Sequence, residues 1–460
     1  MNAPVPQKHL SVSDRRLKVA VVGSGISGAS AAWALDRVHD VTLYEAADRA
    51  GGHTATVDID YDGNPVSVDT GFIVYNTHNY PNLTALFGHF GVATHESDMS
   101  FSLSLDRGKL EWCGDNLGSV FAQKRNLLRP SFLLMLREIF RFNRLCLADR
   151  EAGHLRARSI GDYLDWRGFS PGFRNNYLVP MAAAIWSTPA KKMLEFPATH
   201  FVNFFENHRL IHAERPQWRT VSGGSRNYLE HLIAPLGERL RLSTLVKRVR
   251  RSPNGVEITD GAGHTERFDR VIFACHTDQA LTALDEPTPS ESALLAAIPY
   301  RPNRVILHRD TALMPKRRKA WASWNYLKST RAAVDTDVAV TYWMNRLQGI
   351  DPACPLFVTL NPDREPARDK VFAEFSYDHP QFGTDTMEIQ TAIEAIQGHN
   401  ATYFAGAWTG YGFHEDGLLS GIRAAERLGA SFPWRGNDTS IADTESALRA
   451  SQREDYREVA

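Results

Sequence analysis

Cysteine is scarce in this chain, with four in 460 residues. Cys113, Cys146, Cys275 and Cys354 lie far apart and show no Cys-x-x-Cys spacing. That argues against a disulfide framework or a thiolate zinc site and leaves buried free thiols of a reducing compartment. Excess charge is missing too: 52 Lys and Arg face 53 Asp and Glu, for a formal net charge of −1. With no basic tail or long charge run, a nucleic acid is not the expected partner. His208 and His212 stand four apart but lack a His-Glu-x-x-His context. They read as surface or packing residues, and no metal site is expected. Residues 1–16 have no apolar core, which speaks against a signal peptide. The stretch 17–35 has roughly the length of a membrane span, but its regularly spaced glycines make it a buried strand and helix. The expectation is a cytoplasmic protein of two or three compact units, large enough for a sizeable core.

What is present begins at Val19-Ala20-Val21-Val22-Gly23-Ser24-Gly25-Ile26-Ser27-Gly28. An apolar β-type run flows into Gly-x-Gly-x-x-Gly, and a helix-compatible segment follows. A second apolar run, Val41-Thr42-Leu43-Tyr44, ends at Glu45. This is the pattern of a dinucleotide-binding βαβ unit. Gly23 permits the tight turn, Gly25 lets the backbone approach a pyrophosphate, and Gly28 lets helix and strand pack closely. The helix start at Ile26 and Ser27 offers free N–H groups to phosphate. Glu45 stands where an acid accepts the ribose hydroxyls of an adenosine.

Arg49-Ala50-Gly51-Gly52-His53 follows directly. Gly51 and Gly52 allow a second close backbone approach to the diphosphate, which a hydride-shuttling NAD domain does not need. The cofactor expected is therefore FAD. Glu45-x-x-x-Arg49-x-Gly51-Gly52-His53 resembles the amino-terminal fingerprint of the flavin-containing amine oxidoreductase superfamily, except that His53 replaces the usual Arg. That superfamily includes monoamine oxidases, protoporphyrinogen oxidases, carotenoid desaturases and a polyunsaturated fatty acid isomerase. Near the other end, Tyr403-Phe404-Ala405-Gly406-Ala407-Trp408 and the helix opening Gly412-Phe413-His414-Glu415-Asp416-Gly417-Leu418 resemble its carboxy-terminal flavin motif.

The resemblance implies that the backbone at Asp416, Gly417 and Leu418 faces the flavin N1/C2=O edge, where a helix start stabilises an anion. It implies an adenine contact from the backbone of Val246. Ala407, after the strand-ending Gly406, replaces an acid that bonds the ribityl chain in most relatives. Ser376 lies near the cysteine that anchors the flavin of monoamine oxidases, which implies noncovalent FAD. Three segments, 321–326, 341–345 and 406–417, also resemble a bacterial group of FAD-binding proteins. Its members accompany methyltransferases similar to cyclopropane-fatty-acid synthase.

The expected fold is α/β: a discontinuous Rossmann-like FAD domain interleaved with an α+β substrate domain, as in amine oxidases. The FAD domain is read as 17–85, 215–285 and 398–432, and the substrate domain as 86–214 and 286–397. Strands are expected at 304–308, 338–344, 356–360 and 373–377. Residues 1–16 read as a flexible arm and 433–460 as a polar tail.

The flavin would lie at the seam between domains, where pockets form. By the resemblance, Phe413 and Tyr377 match the two rings that sandwich an amine in monoamine oxidases. Asn303 matches a lysine that assists oxygen chemistry. His414 or Glu415 is a candidate acid or base, with helix capping as the alternative for Glu415 and Asp416; His379 is a second candidate base. Trp186, Trp324, Tyr342, Trp343, Trp408 and Tyr411 are either core residues or the lining of an apolar tunnel. The basic amphipathic segment 124–146 either lies in a lipid headgroup layer or packs on its own domain. The first function expected is hydride transfer from an apolar unsaturated substrate, a fatty acyl group or membrane lipid, to flavin N5. Amine oxidation and a redox-neutral role, as in a fatty acid isomerase, are the alternatives.

Overall fold

The computed structural model describes residues 15–212, 214–329, 338–383 and 385–435. Most of the expected arm and tail, 1–14 and 436–460, lies outside them. A five-stranded sheet, every neighbouring pair parallel, runs in the order Leu240–Arg241, Asp40–Tyr44, Lys18–Val22, Arg270–Phe273, Thr402–Phe404. Its central strands read as continuous apolar runs because both faces are covered. The helix Ile26–Leu35 is buried along its whole length. At its start, a Cβ on Gly28 would come 1.8 Å from the Gly23 carbonyl oxygen. At Gly421, on the carboxy-terminal helix His414–Glu426, a Cβ would come 2.2 Å from the Ser27 carbonyl oxygen. The two ends of the chain therefore meet backbone to backbone, which only residues without a Cβ allow.

A second, seven-stranded sheet runs Val371–Pro380, Tyr300–His308, Phe357–Leu360, Ala339–Trp343, Trp324–Lys328, Phe101–Leu105, Leu110–Cys113. Its pairs are antiparallel except Trp324–Lys328 with Phe101–Leu105, which are parallel and come from distant parts of the chain. Helices between Leu117 and Asn207 pack on it through an aromatic core that includes Phe142, Tyr163, Phe173 and Phe201.

Three local features depart from expectation. The run at Val246 pairs not with the parallel sheet but with Gly255–Asp260, in a three-stranded antiparallel sheet. A hairpin, Thr56–Tyr61 with Asn64–Asp69, follows the second glycine loop. The segment 124–146 is not one helix. Lys124–Leu128 is a separate 3₁₀ turn, and the α-helix is Pro130–Glu151. Pro130 lacks an N–H and pushes Arg129 to φ −99°, ψ 106°, so the helix can only begin there. Among the described residues, no helix is long and apolar enough to cross a membrane.

Candidate active site

One cavity of about 640 Å³ runs from the carboxyl ends of the parallel strands to the seven-stranded sheet. Its first end is backbone. Gly23, Gly25, Ile26, Ser27, Gly51 and Gly52 line it, with Gly25 and Gly51 bridged strand-fashion. Glu45 ties this cradle together. One of its carboxylate oxygens accepts from Ser24 N (3.0 Å) and Ser24 Oγ (2.5 Å), and the other from Ala47 N (2.9 Å). A carboxylate offers about four acceptor positions, so capacity remains for a ligand hydroxyl. Ser24 Oγ in turn accepts from Gly51 N (3.0 Å), locking the two glycine loops to each other. Arg49 spends its guanidinium on the carbonyls of Gly52 (2.8 Å) and Thr54 (3.3 Å).

His53 stands where cradle and inner chamber join. Its ring lies 5.1 Å from Tyr377 and 5.3 Å from His379, and its Nε2 is shut from solvent with no hydrogen-bond partner. Burial first, then the neighbouring imidazoles, push its pKa well below the ordinary histidine value.

The inner end is side chain. Met99, Ile185, Val305, Val358 and Leu360 line it beside five of the six aromatic residues expected there: Trp186, Trp324, Tyr342, Trp408 and Tyr411. Trp343 does not; it packs against Trp321 at 5.4 Å. Phe413 and Tyr377 both line the cavity with separate partners. Phe413 stacks on Phe204 at 5.2 Å, and the Tyr377 hydroxyl is 2.8 Å from Thr70 Oγ1.

The histidines divide by hydrogen bonding. Arg304 N donates to Asn361 Oδ1 (2.9 Å), Asn361 Nδ2 to Asn303 Oδ1 (2.7 Å), and Asn303 Nδ2 to His379 Nδ1 (2.8 Å). A backbone donor at one end orients the whole relay, so His379 keeps its proton on Nε2 and acts as a donor. Burial pushes its pKa down to about 4. Asn303 itself is off the cavity wall; it positions His379. His208, read from the sequence as a surface or packing residue, lines the cavity. Its Nδ1 lies 3.1 Å from the Phe204 carbonyl, which can only accept, so Nε2 is left with a lone pair. The ring stacks on Phe204 at 3.9 Å and sits 5.6 Å from Phe413, and burial pushes its pKa down to about 4. The sequence signal was Phe204-x-x-x-His208 at a helix end, indistinguishable there from packing. His414 stacks on Phe72 at 3.9 Å and bonds the Tyr228 hydroxyl; burial pushes its pKa down to about 3.

Several expected residues are not on the wall. Glu415 accepts from Asn82 N (2.9 Å), Asn82 Nδ2 (2.7 Å) and Leu83 N (3.0 Å), supplying the start of the helix Pro81–Phe90. Asp416 accepts from Phe413 N (2.9 Å), and burial lifts its pKa to about 7. Gly417 N already donates to Phe413 O (3.0 Å). The part of this helix start that lines the cavity is therefore Phe413 and His414, one turn before Leu418. Gly28 and Val246 are also off the wall, the first packing strand to helix and the second buried in the antiparallel sheet.

Residues 26–329 and 367–429 match the sequence profile of the flavin containing amine oxidoreductases. The chain belongs to that family. Membership makes FAD its cofactor and oxidation–reduction its class of chemistry. A protein of Mycobacterium tuberculosis assigned as a flavin-containing monoamine oxidase, AofH, is 24% identical over 292 residues, 60% of this chain. The chain spans 61% of the length of that relative. Solved structures share the fold. A putrescine oxidase variant has a TM-score of 0.65 at 17% identity, covering 90% of this chain and 99% of its own. A fatty acid isomerase from P. acnes producing CLA has 0.62 at 16%, covering 92% and 100%. Cyclohexylamine oxidase from Brevibacterium oxydans has 0.62 at 17%, covering 90% and 99%.

The cradle fits FAD on its own geometry. A Cβ on Gly25 would meet no protein atom within 4 Å, so the backbone there borders open space. The unpartnered His53 Nε2 borders the same cavity and waits for a polar group.

Proposed function

We propose that this flavoprotein introduces a double bond into an apolar, already unsaturated acyl chain, as found in a fatty acid or membrane lipid. The supporting observation is the inner chamber. Glu45, Arg49 and Asp378 are the Asp, Glu, Lys or Arg side chains on the cavity wall; the first two belong to the cradle, and Asp378 acts on His276. The rest of the inner lining is aliphatic, aromatic or neutral. Each methylene buried there contributes about 0.8 kcal/mol, which favours a chain over a small polar amine.

Gly23, Gly25, Ile26, Ser27, Gly51 and Gly52 would hold the diphosphate of noncovalently bound FAD, and Glu45 the ribose. When bound, FAD supplies a two-electron acceptor that takes a hydride and is re-oxidised by an external oxidant such as dioxygen or a quinone. His208 Nε2 removes the proton from the neighbouring carbon. Loss of hydride from one carbon and proton from the next leaves a carbon–carbon double bond, and an existing double bond eases the first loss by delocalising charge. Burial keeps His208 neutral near pH 7, so its lone pair is available. Phe204 and Phe413 flank the ring and exclude water. Trp186 Nε1 and Trp324 Nε1, both buried on this wall without partners, would donate to an oxygen of the acyl head.

Anaerobic titration followed at the flavin absorbance tests the proposal. Unsaturated fatty acid or phospholipid bleaches the holoenzyme, while putrescine and benzylamine do not. Bleaching by amines alone replaces it with amine oxidation. Migration of a double bond without bleaching replaces it with isomerisation.

A further inference from the structure

The helix Pro130–Glu151 is apolar on two faces. Phe132, Met135, Phe142 and Cys146 point into the core. Leu133, Leu134 and Phe140 recur at helical spacing on the other side and are exposed. With Leu117, Leu127 and Leu128 they make six of the eleven exposed large apolar side chains among the described residues, all within one stretch of 24 positions. Leu128 is 86%, Leu117 80% and Phe140 76% exposed. Singly exposed leucines need no explanation, but a cluster this dense marks a contact surface.

The charges of this face have one sign. Lys124, Arg125, Arg137 and Arg144 are exposed and Arg129 is partly so, and no carboxylate pairs with any of the five among the described residues. Arg125 also repels Arg129, whose pKa is lowered chiefly by desolvation and then by that neighbour. The acids nearby are engaged elsewhere. Glu138 is buried and accepts from Ser170 N (3.0 Å) and Ser170 Oγ. Asp149 is held by Tyr163 and Arg167, and Asp115 by Arg346. Glu151 lies at the far end of the helix.

We infer that the exposed face formed by residues 117–144 docks this protein on an anionic lipid surface, the apolar side chains entering the acyl boundary and the cations meeting the headgroups. A second copy of the chain is disfavoured, because a two-fold contact would set one cationic patch against another. The position suits the lipid reading of the cavity, which this inference deepens without depending on turnover. Arg150, on the same helix, donates to Asn203 Oδ1 (3.1 Å) and pairs with Glu206. Both lie on the neighbouring helix Ala198–Asn207, which carries the cavity residue Phe204. Packed helices lie about 8–10 Å apart, so the docking helix is one layer from the acyl chamber.

The test is co-sedimentation of FAD-loaded protein with phosphatidylglycerol–phosphatidylcholine vesicles and with phosphatidylcholine alone. Binding is expected to the first and at least tenfold weaker to the second. Leu128→Glu with Phe140→Glu should abolish it, and Arg137→Gln with Arg144→Gln should weaken it severalfold and flatten its salt dependence. All are surface changes, checked by retained flavin absorbance and melting temperature. No vesicle binding, or binding unchanged in both double variants, overturns the inference. So does a dimer in gel filtration that L128E/F140E dissociates without any vesicle binding. If bleaching by detergent-dispersed lipid persists in both variants, docking fails or succeeds separately from the chemistry.

Discussion

The two ends of the cavity are built by different means. The cradle is made of backbone: glycines, helix-start amides and one carboxylate that binds the loops to each other. The inner chamber is made of side chains from strands and helices remote in the chain, among them Met99, Trp186, Trp324 and Leu360. Backbone recognition demands particular residues at fixed spacing, so it leaves a motif. Side-chain recognition demands only shape and polarity, which many sequences can supply.

The largest effect that separates the ends comes from Gly25. Gly25→Val meets no protein atom, so the fold should survive while FAD affinity falls at least a hundredfold, read as protein that melts normally but is colourless. Gly28→Val, whose Cβ would press on the Gly23 carbonyl, should instead fail to fold. Equal behaviour of the two variants would erase the distinction between a cradle and a packing glycine.

At the inner end, His208→Gln should lower turnover by about 10²–10⁴ with flavin content unchanged. His379→Gln, which keeps a donor, should cost far less. A larger loss at His379 would reverse the roles of base and donor.

Acid should act on the inner end through stability. His200, His208, His308 and His379 each have a pKa pushed down to about 4 by burial. An unfolded histidine takes its proton near pH 6.5. Below that value the unfolded chain binds protons the folded one refuses, so stability is full above about 6.5 and is lost as pH falls toward about 4. Thermal melts should drop steeply across that window; a flat profile would mean the buried imidazoles are open to water.

The smallest effect is expected at Glu415. Glu415→Gln leaves Asn82 and Leu83 with a weaker acceptor and should cost about 1–3 kcal/mol of stability with unaltered turnover per flavin. A loss of turnover at unchanged melting temperature would make Glu415 part of the chemistry.

Much of the cradle was legible in advance. Gly23 to Gly28, Glu45, and Gly51 with Gly52 carry their purpose in their spacing, because a βαβ turn and a diphosphate leave no room for side chains. Beyond the cradle the limits are physical. His208 and Phe204 read as ordinary helix packing until the cavity is seen beside them. Glu415 and Asn303 carry the residue types of chemistry but are spent on Asn82 and His379, partners 333 and 76 positions away. Pro130 announced a helix start inside a segment whose apolar periodicity ran through it.

By itself, then, the chain determined its cofactor and the parallel sheet that presents it, since both follow from local contacts between residues near in sequence and from glycines that nothing else replaces. Which imidazole gives and which takes a proton, which aromatic rings face the cavity, and which side of the helix Pro130–Glu151 stays uncovered were decided only in three dimensions. Each depends on hydrogen bonds or packing between segments a hundred or more residues apart, or on one neighbouring carbonyl, and no periodicity encodes them.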